Sequence, residues 1–236
     1  MSNSYILFIE TATNICSVSL SENDKVIHAH VGELPNMHAA NLTIFINDLL
    51  ERAKIGFNQL SAVAVSKGPG SYTGLRIGVS VAKGLCYALD IPLIGNNTLD
   101  VLVGGYLANF DKPDEPTLLL PMIDARRQEV YTATYDVNGL LLQPTEALIV
   151  DENSFDSYTS AGYHLKLFGS GADKFEEMFR KNPNIKIISN FEALAEFQNK
   201  ISYDRYKTKD FEDLAYFEPF YLKDFMVTIS KKQPLL

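Results

Sequence analysis

Runs and alternations of apolar residues predict a series of short strands at the start of the chain. Residues 5–9 form a near-continuous apolar run, which is typical of a strand buried on both faces. Strand-like runs at 15–20 and 25–31 follow it, each after a short polar turn. The N-terminal region therefore predicts a three-stranded antiparallel meander.

Helices and strands alternate in the next part of the chain. Apolar residues recur at helical spacing over about 38–54, and a β-branched strand at 62–66 leads into the glycine-rich loop 68–70. Ser71 and Thr73 are both suitable N-caps for a helix that follows this loop. The sequence then predicts a short strand at 92–95 and a helix capped near position 97 or 98.

An acidic, proline-containing stretch at 111–116 has the composition of a domain boundary, and after it the element order begins again. An apolar strand at 117–124 ends in an acid, as the first strand does, and Asn138-Gly139 predicts a hairpin turn. The further predictions are strands at 129–136, 140–142, 164–168 and 185–188, a helix opened by Asp151, a helix from the turn at 169–172 to about 180, and a helix at 191–201.

This repeated order of elements is that of an actin-like ATPase (ribonuclease-H-like) domain. The sequence therefore predicts an α/β protein of the ASKHA class, with two tandem actin-like ATPase domains. Each domain is expected to contain a mixed five-stranded sheet flanked by helices, over residues 1–110 and 111–236. Two such domains would face each other across a cleft.

Charge and composition limit the classes of function. The 236 residues carry a formal net charge of −8, which argues against broad, direct binding of a polyanion. If RNA is involved, another subunit is expected to make most of the phosphate contacts. No run approaches the length of a membrane span and the N-terminus lacks a basic targeting region, so we expect a cytoplasmic protein without membrane contact.

Cysteine and histidine patterns give little support to metal or disulfide chemistry. Cys16 and Cys86 form no CxxC pair and are expected to be reduced and buried. His28 and His30 share one face of a strand, but no third ligand is evident nearby. We therefore predict no metal site.

Two helices carry faces that admit two interpretations. Gly74, Gly78 and Ala82 recur every fourth residue, which leaves a stripe without bulk and allows another helix to approach the helix backbone closely. The preceding helix has an apolar face of five residues, which are His38, Leu42, Phe45, Ile46 and Leu49. Either face can be buried in the domain's own core or covered by a partner protein.

Several separated motifs resemble one family. The stretch SKGPGSYTGLRIGVSVAKGL at 66–85 resembles the signature of the TsaB (YeaZ) family, and IETATNICSVSL at 9–20 and PLIGNNTLD at 92–100 agree with it in order and spacing. MIDARRQEVY at 122–131 and EPFYLK at 218–223 resemble second-domain motifs of the same family more weakly.

The resemblance implies a non-catalytic subunit that binds and activates TsaD, with TsaE as a third, ATPase component. Together these proteins transfer a threonylcarbamoyl group to the adenosine next to the anticodon in tRNA. In this family the two helices described above pack with their counterparts in TsaD. The resemblance also implies a homodimer when TsaD is absent, and contact with tRNA only through the complex.

Active members of this superfamily hold phosphates and magnesium at two turns, and the turns here match only in part. The first turn offers Glu10, Thr11 and Thr13 as nucleotide-facing residues, and Asp124 supplies the acid of the second turn. Two arginines follow Asp124 where small residues would admit a phosphate. Structural roles for both acids, such as turn capping or pairing of Asp124 with Arg127, stay open.

On the adenosine side, Gly169 and Gly171 resemble the superfamily's glycine turn, although an ordinary strand-to-helix turn explains them nearly as well. TsaD carries an HxxxH-type metal pair after the strand that corresponds to 92–95, whereas residues 96–101 here contain no histidine. We therefore expect no cofactor, apart from a weakly bound nucleotide or one at a subunit interface. The alternative function is a small-molecule kinase of the same fold.

Overall fold

The structure is a computed structural model that describes residues 3–32 and 38–223, without the side chains of 38–40. The predicted interface side chain of His38 therefore lies outside the described residues. The first half of the chain forms β1 Tyr5–Glu10, β2 Cys16–Glu22, β3 Lys25–Gly32, α1 His38–Ala53, β4 Leu60–Gly68, α2 Tyr72–Leu89, β5 Leu93–Asn97 and α3 Thr98–Asn109.

The second half repeats this succession with shorter helices. Its elements are β6 Thr117–Asp124, β7 Glu129–Tyr135, β8 Leu141–Ile149, α4 Asp156–Ser160, β9 His164–Phe168, α5 Glu176–Phe179, β10 Ile185–Ile188 and α6 Asn199–Thr208.

Both halves build a mixed five-stranded sheet with the same strand order. The first sheet runs β3-β2-β1-β4-β5 and the second runs β8-β7-β6-β9-β10. In each sheet the first three strands pair antiparallel and the last two join in parallel. The predicted fold class, with two mixed five-stranded sheets flanked by helices, is confirmed.

Local sequence signals account for the start of two helices. The Ser71 side chain accepts a hydrogen bond from the Gly74 amide and caps α2, and Asn97 caps α3 by accepting from the Leu99 amide. Three predictions were wrong. The helix expected to open at Asp151 begins at Asp156, and β8 continues to Ile149 rather than ending at 142. The helix expected at 191–201 is instead an irregular stretch and a 3-10 turn at Ala195–Gln198, followed by α6.

The predicted boundary at 110 separates the two sheets, but helices cross it. α3 packs on the second sheet, where its Leu102 and Tyr106 join a core with Leu119 and Phe168. In the opposite direction, the segment from Ala195 onward returns to the first sheet. It covers the sheet face formed by five buried side chains, which are Ile6, Phe8, Ala62, Ala64 and Ile94.

Because α3 packs on the second sheet and the return segment packs on the first, each sheet is covered on both faces, and four apolar layers result. α1 and α2 cover the outer face of the first sheet, and the return segment covers its inner face. α3 covers the inner face of the second sheet, whereas Phe155, Phe175 and Phe179 cover its outer face. None of the helices in the described part of the chain combines the length and the hydropathy of a membrane-spanning segment.

Candidate functional site

The glycine stripe of α2 packs against the turn that follows β1. A Cβ atom on Gly74 would overlap the carbonyl oxygen of Thr11, and one on Gly78 would overlap the Thr11 side-chain hydroxyl. The contact is completed by hydrogen bonds from the Thr11 hydroxyl to the Gly74 carbonyl (2.8 Å) and from the Ser71 amide to the Ala12 carbonyl (2.6 Å). A close approach to the glycine stripe is therefore made inside the chain, but the turn after β1 makes it and not the helix that the spacing was expected to admit.

Glu10, the acid of the first turn, is sealed from solvent. Its side chain is fully buried; one carboxylate oxygen accepts from the Ala12 amide (2.8 Å) and the other from the Ser66 hydroxyl. Burial raises the pKa of the Glu10 carboxyl to about 7, against the opposing effect of these hydrogen bonds. A carboxylate used in this way has a structural role in tying β1 to β4.

Thr13 lies at the edge of the same turn, where the surroundings are acidic. Its hydroxyl interacts with the carboxyl of Glu192, which lies just before the return segment. Burial, and then the nearby charge of Asp173, raise the pKa of Glu192. Two carboxyl groups at this position disfavour a phosphate beside the first turn.

An internal ammonium group neutralises Asp124 at the second turn. Lys174 Nζ lies 2.6 Å from the Asp124 carboxylate and also donates to the carbonyl oxygens of Arg127 (2.9 Å) and Glu129 (2.6 Å). The partner of Asp124 is therefore Lys174, and the pairing with Arg127 that the sequence left open is wrong. The Lys174 ammonium group therefore joins the carboxylate and two carbonyl oxygens of this turn.

Gly169 and Gly171 lie directly beneath the second turn. Gly169 has a φ of +100°, and a Cβ there would overlap the Met122 carbonyl oxygen. A Cβ on Gly171 would lie 2.8 Å from the backbone carbon of Ile123. Both glycines allow the strand-to-helix turn after β9 to pack on the end of β6, which accounts for them without a nucleotide.

The residues predicted to form the partner interface are mostly buried within this chain. Leu42, Ile46 and Leu49 contribute to the core between α1, α2 and the first sheet, and Phe45 packs at its edge. Ala82 is also fully buried. For these positions the structure favours the first interpretation, burial in the domain's own core. Contact with a partner stays a prediction.

The same two helices also present exposed positions. Ile44 of α1 is 55% exposed and Tyr87 of α2 is 83% exposed. Gly84 of α2 is exposed, and no atom of another element lies within 4 Å of the position of its missing Cβ. A protein that docks on α1 and α2 would meet these residues first.

Sequence reasoning missed the C-terminal strap, which we define as residues 212–223. Phe217 packs over Gly95 and into the first core, while Lys83 donates to the Phe217 carbonyl (2.7 Å). The Phe220 amide then donates to the Lys67 carbonyl (2.6 Å) beside the signature loop.

A shallow cavity of about 370 Å³ lies between the strap and β4. It is lined by aromatic side chains, by three acidic residues of the strap and by Lys67, which pairs with one of them, Glu212, at 3.3 Å. The sequence motif at 218–223 was a signal for this strap, but it did not indicate where the strap packs. Over the described ranges, no group of three or more histidine, cysteine or acidic side chains could hold a metal ion.

Two sheets of order 3-2-1-4-5, with helices that cross between them, define the actin-like ATPase class of fold. Comparisons with known proteins identify the family. The sequence model described as "TsaD: tRNA N6-adenosine threonylcarbamoyltransferase" matches residues 18–218. The chain belongs to this family, and within it to the TsaB (YeaZ) group.

The relatives that define this group are tRNA threonylcarbamoyladenosine biosynthesis proteins TsaB. The chain is 37% identical to that of Escherichia coli over 150 residues, which cover 62% of this chain and 63% of the relative. It is 32% identical to that of Buchnera aphidicola subsp. Schizaphis graminum over 197 residues, which cover 79% of this chain and 91% of the relative.

Solved structures agree on the fold. An uncharacterised Pseudomonas aeruginosa protein with similarity to peptidase YeaZ superposes with a TM-score of 0.76 at 24% identity, over 93% of this chain and 100% of that one. At this level of identity the similarity establishes the fold, and the chemistry must be argued from the site.

Proposed function

We propose that this chain is a non-catalytic partner subunit in the synthesis of threonylcarbamoyladenosine in tRNA, and that it binds and activates a TsaD-type subunit. Relatives that carry the name TsaB support the pathway. The observation that best supports a non-catalytic role is the packing of α2 on the first turn. There the helix backbone at Gly74 and Gly78 lies directly against Thr11 and leaves no room for a phosphate.

Phosphoryl transfer in this fold needs acids that reach a metal ion and turns that reach phosphates. Here Glu10 is fully buried and Asp124 is paired with an ammonium group. Both acids are therefore occupied by protein groups. This arrangement supports an interaction role over the alternative of a small-molecule kinase, because opening either turn would break contacts that hold the domains in shape.

The helices α1 and α2 are the proposed contact for the TsaD-type subunit, through their exposed residues and not through the buried faces. A partner helix could approach α2 closely at Gly84, because no other part of the described chain fills that space. Ile44 provides an exposed apolar side chain on α1. The same surface would support a homodimer in the absence of the partner, and TsaE and tRNA would join through the complex.

Binding measurements on surface variants test this placement. We expect Gly84→Leu and Ile44→Asp each to weaken binding of the TsaD-type subunit at least tenfold in titration calorimetry, equivalent to about 1.4 kcal/mol. Leu141→Asp is a matched control, because it places a charge at an apolar position on β8 that is 49% exposed and far from α1 in the chain. Unchanged affinity in both helix variants, with the protein still folded, would move the interface elsewhere.

A further inference from the structure

The turn between β6 and β7 holds two consecutive arginines in left-handed backbone conformations. Arg126 has a φ of 74° and Arg127 a φ of 54°, and both residues are exposed. Such conformations are unfavourable for residues with a side chain and persist where the surrounding structure enforces them. The contacts of Lys174 with the turn carbonyls supply that constraint.

Positive charge is in excess at this turn. Asp124 is paired with Lys174, and Glu129 is paired with Lys223 from the strap. Within the described part of the chain, the side chains of Arg126 and Arg127 make no ion pair. The two guanidinium groups are therefore available on the surface of a protein whose formal net charge is −8.

Tyr221 of the strap connects this turn to an arginine of the first domain. The Tyr221 ring packs on Tyr72 with centroids 4.9 Å apart, and its hydroxyl accepts from Arg76 Nε at 3.2 Å. The Arg76 guanidinium lies 4.1 Å from the centre of the Tyr72 ring. We call the surface that runs from the β6–β7 turn to α2 the basic–aromatic strip; its members are Arg126, Arg127, Lys223, Tyr221, Tyr72 and Arg76.

We propose that the basic–aromatic strip binds RNA, with Arg126 and Arg127 on backbone phosphates and the Tyr221 region beside unpaired bases. Guanidinium groups match phosphate oxygens in a bidentate geometry, and aromatic rings and arginine planes stack on unpaired bases. An acidic chain that contacts RNA needs a local surface of this kind, because its overall field repels phosphates. The proposal rests on the proposed function, which supplies tRNA as the RNA.

Salt-dependent binding of tRNA tests the strip directly. The complex of this chain with its TsaD-type partner is titrated against a labelled, unmodified tRNA transcript, and anisotropy is read at several KCl concentrations. We expect Arg126→Gln/Arg127→Gln to weaken binding about tenfold at low salt. The slope of log K against log salt should fall by about 1.4, because each lost phosphate contact removes about 0.7. Arg76→Gln should act in the same direction.

The matched control is Arg180→Gln/Lys181→Gln. It removes the same two charges from exposed positions after α5, outside the strip, and should leave the slope unchanged. If both double variants lose the same tRNA affinity, the effect comes from net charge alone, and the proposal is wrong. Retention of tRNA affinity with loss of partner affinity would identify the strip as a protein-binding surface instead.

Failure of the strip and failure of the proposed function give different results. If modification of tRNA requires this chain but the arginine variant binds tRNA with unchanged affinity and slope, the strip is wrong and the function stands. If modification does not require the chain, the proposed function is wrong, while the binding titration still decides the strip. Should no complex form, the same titration is made on the chain alone.

Discussion

Gly74 is the residue at which the closure of the first turn can be tested most simply. Its position admits no side chain, because a Cβ would overlap the Thr11 carbonyl oxygen, which is part of the backbone and has little room to move. Gly84 lies on the same helix but faces open space. The two glycines therefore separate the effect of packing from that of helix propensity.

We expect Gly74→Ala to lower the free energy of unfolding by about 1–3 kcal/mol in urea denaturation, because of overpacking. Gly84→Ala should be neutral or stabilising by up to about 1 kcal/mol, since alanine is the better helix former. Equal stability of the two variants would show that the turn is not packed on α2 as described. For the same reason, Gly78→Leu would destabilise the chain itself before it affected any partner.

Glu10 makes the stability of the chain depend on pH. Burial raises the pKa of the carboxyl from 4.5 to about 7, so the folded state holds the proton to a higher pH than the unfolded state does. As pH rises from about 4.5 to about 7 the unfolded chain releases this proton first, and stability falls through that window. Above pH 7 the contribution is constant.

Glu10→Gln should remove this dependence. Relative to the variant, the wild-type protein should lose on the order of 2–3 kcal/mol of unfolding free energy between pH 5 and pH 8. Urea denaturation at both pH values measures the difference, and Glu152→Gln, at an exposed acid, is the control. If the free energies of unfolding of the wild-type protein and Glu10→Gln differ by the same amount at pH 5 and pH 8, Glu10 is not a buried carboxyl with a raised pKa.

At the scale of elements, the strap is the part of the fold with the least support from sequence pattern. Phe217 anchors it with only 8% of its surface exposed, whereas its neighbour Tyr216 is 86% exposed. These adjacent aromatic residues differ mainly in burial. They therefore form a matched pair for testing how firmly the strap is held.

Phe217→Ala is expected to cost about 3 kcal/mol of unfolding free energy, because it leaves a cavity beside Gly95 in the first core. Tyr216→Ala should change stability by less than about 0.5 kcal/mol. Urea denaturation measures both, and hydrogen exchange at the Phe220 amide, which is bonded to Lys67, reports the strap itself. An unaffected Phe217→Ala protein would mean that the strap is not docked on the core.

The strands were predictable because apolar runs bounded by polar turns mark them directly. β1 at residues 5–10 and β6 at 117–124 are buried on both faces, and their continuous apolar sequence indicates this. The return segment was not predictable in the same way, because the residues that pack on the first sheet are widely spaced aromatics such as Tyr203, Tyr206 and Phe211. Their destination depends on the completed sheet.

The candidate site, like the fold, was predictable from the sequence only in part. Spacing of Gly74 and Gly78 predicted a close approach correctly, but the approaching element is a turn and not the expected helix. The spacing also carried no information on whether that element belongs to this chain or to a partner. The sequence pattern offers no means of pairing Lys174 with Asp124, since these residues are far apart in the chain and meet where the 3-10 turn Asp173–Phe175 packs on the β6–β7 turn. Long-range polar contacts of this kind need the fold.

For the whole molecule, the exchange of helices between the two sheets makes the domains interdependent. Gln198, from the return segment, is fully buried and donates to the Ile9 carbonyl (2.8 Å), while its own oxygen accepts from Asn96 (3.0 Å). These bonds join the end of the second domain to the strands of the first. The surfaces that α1, α2 and the strap present are thereby held in a fixed relation, as a binding subunit requires.

The central claim is that this chain acts as a partner subunit without chemistry of its own, and an omission assay tests it most directly. Purified chain, TsaD, TsaE and a synthetic source of threonylcarbamoyl-adenylate are combined with tRNA, and modified tRNA is scored with and without the chain. We predict that modification requires the chain, and that the chain alone neither modifies tRNA nor hydrolyses ATP. Full modification in its absence, together with ATP hydrolysis by the isolated chain in the presence of a small metabolite, would contradict the claim and favour a kinase.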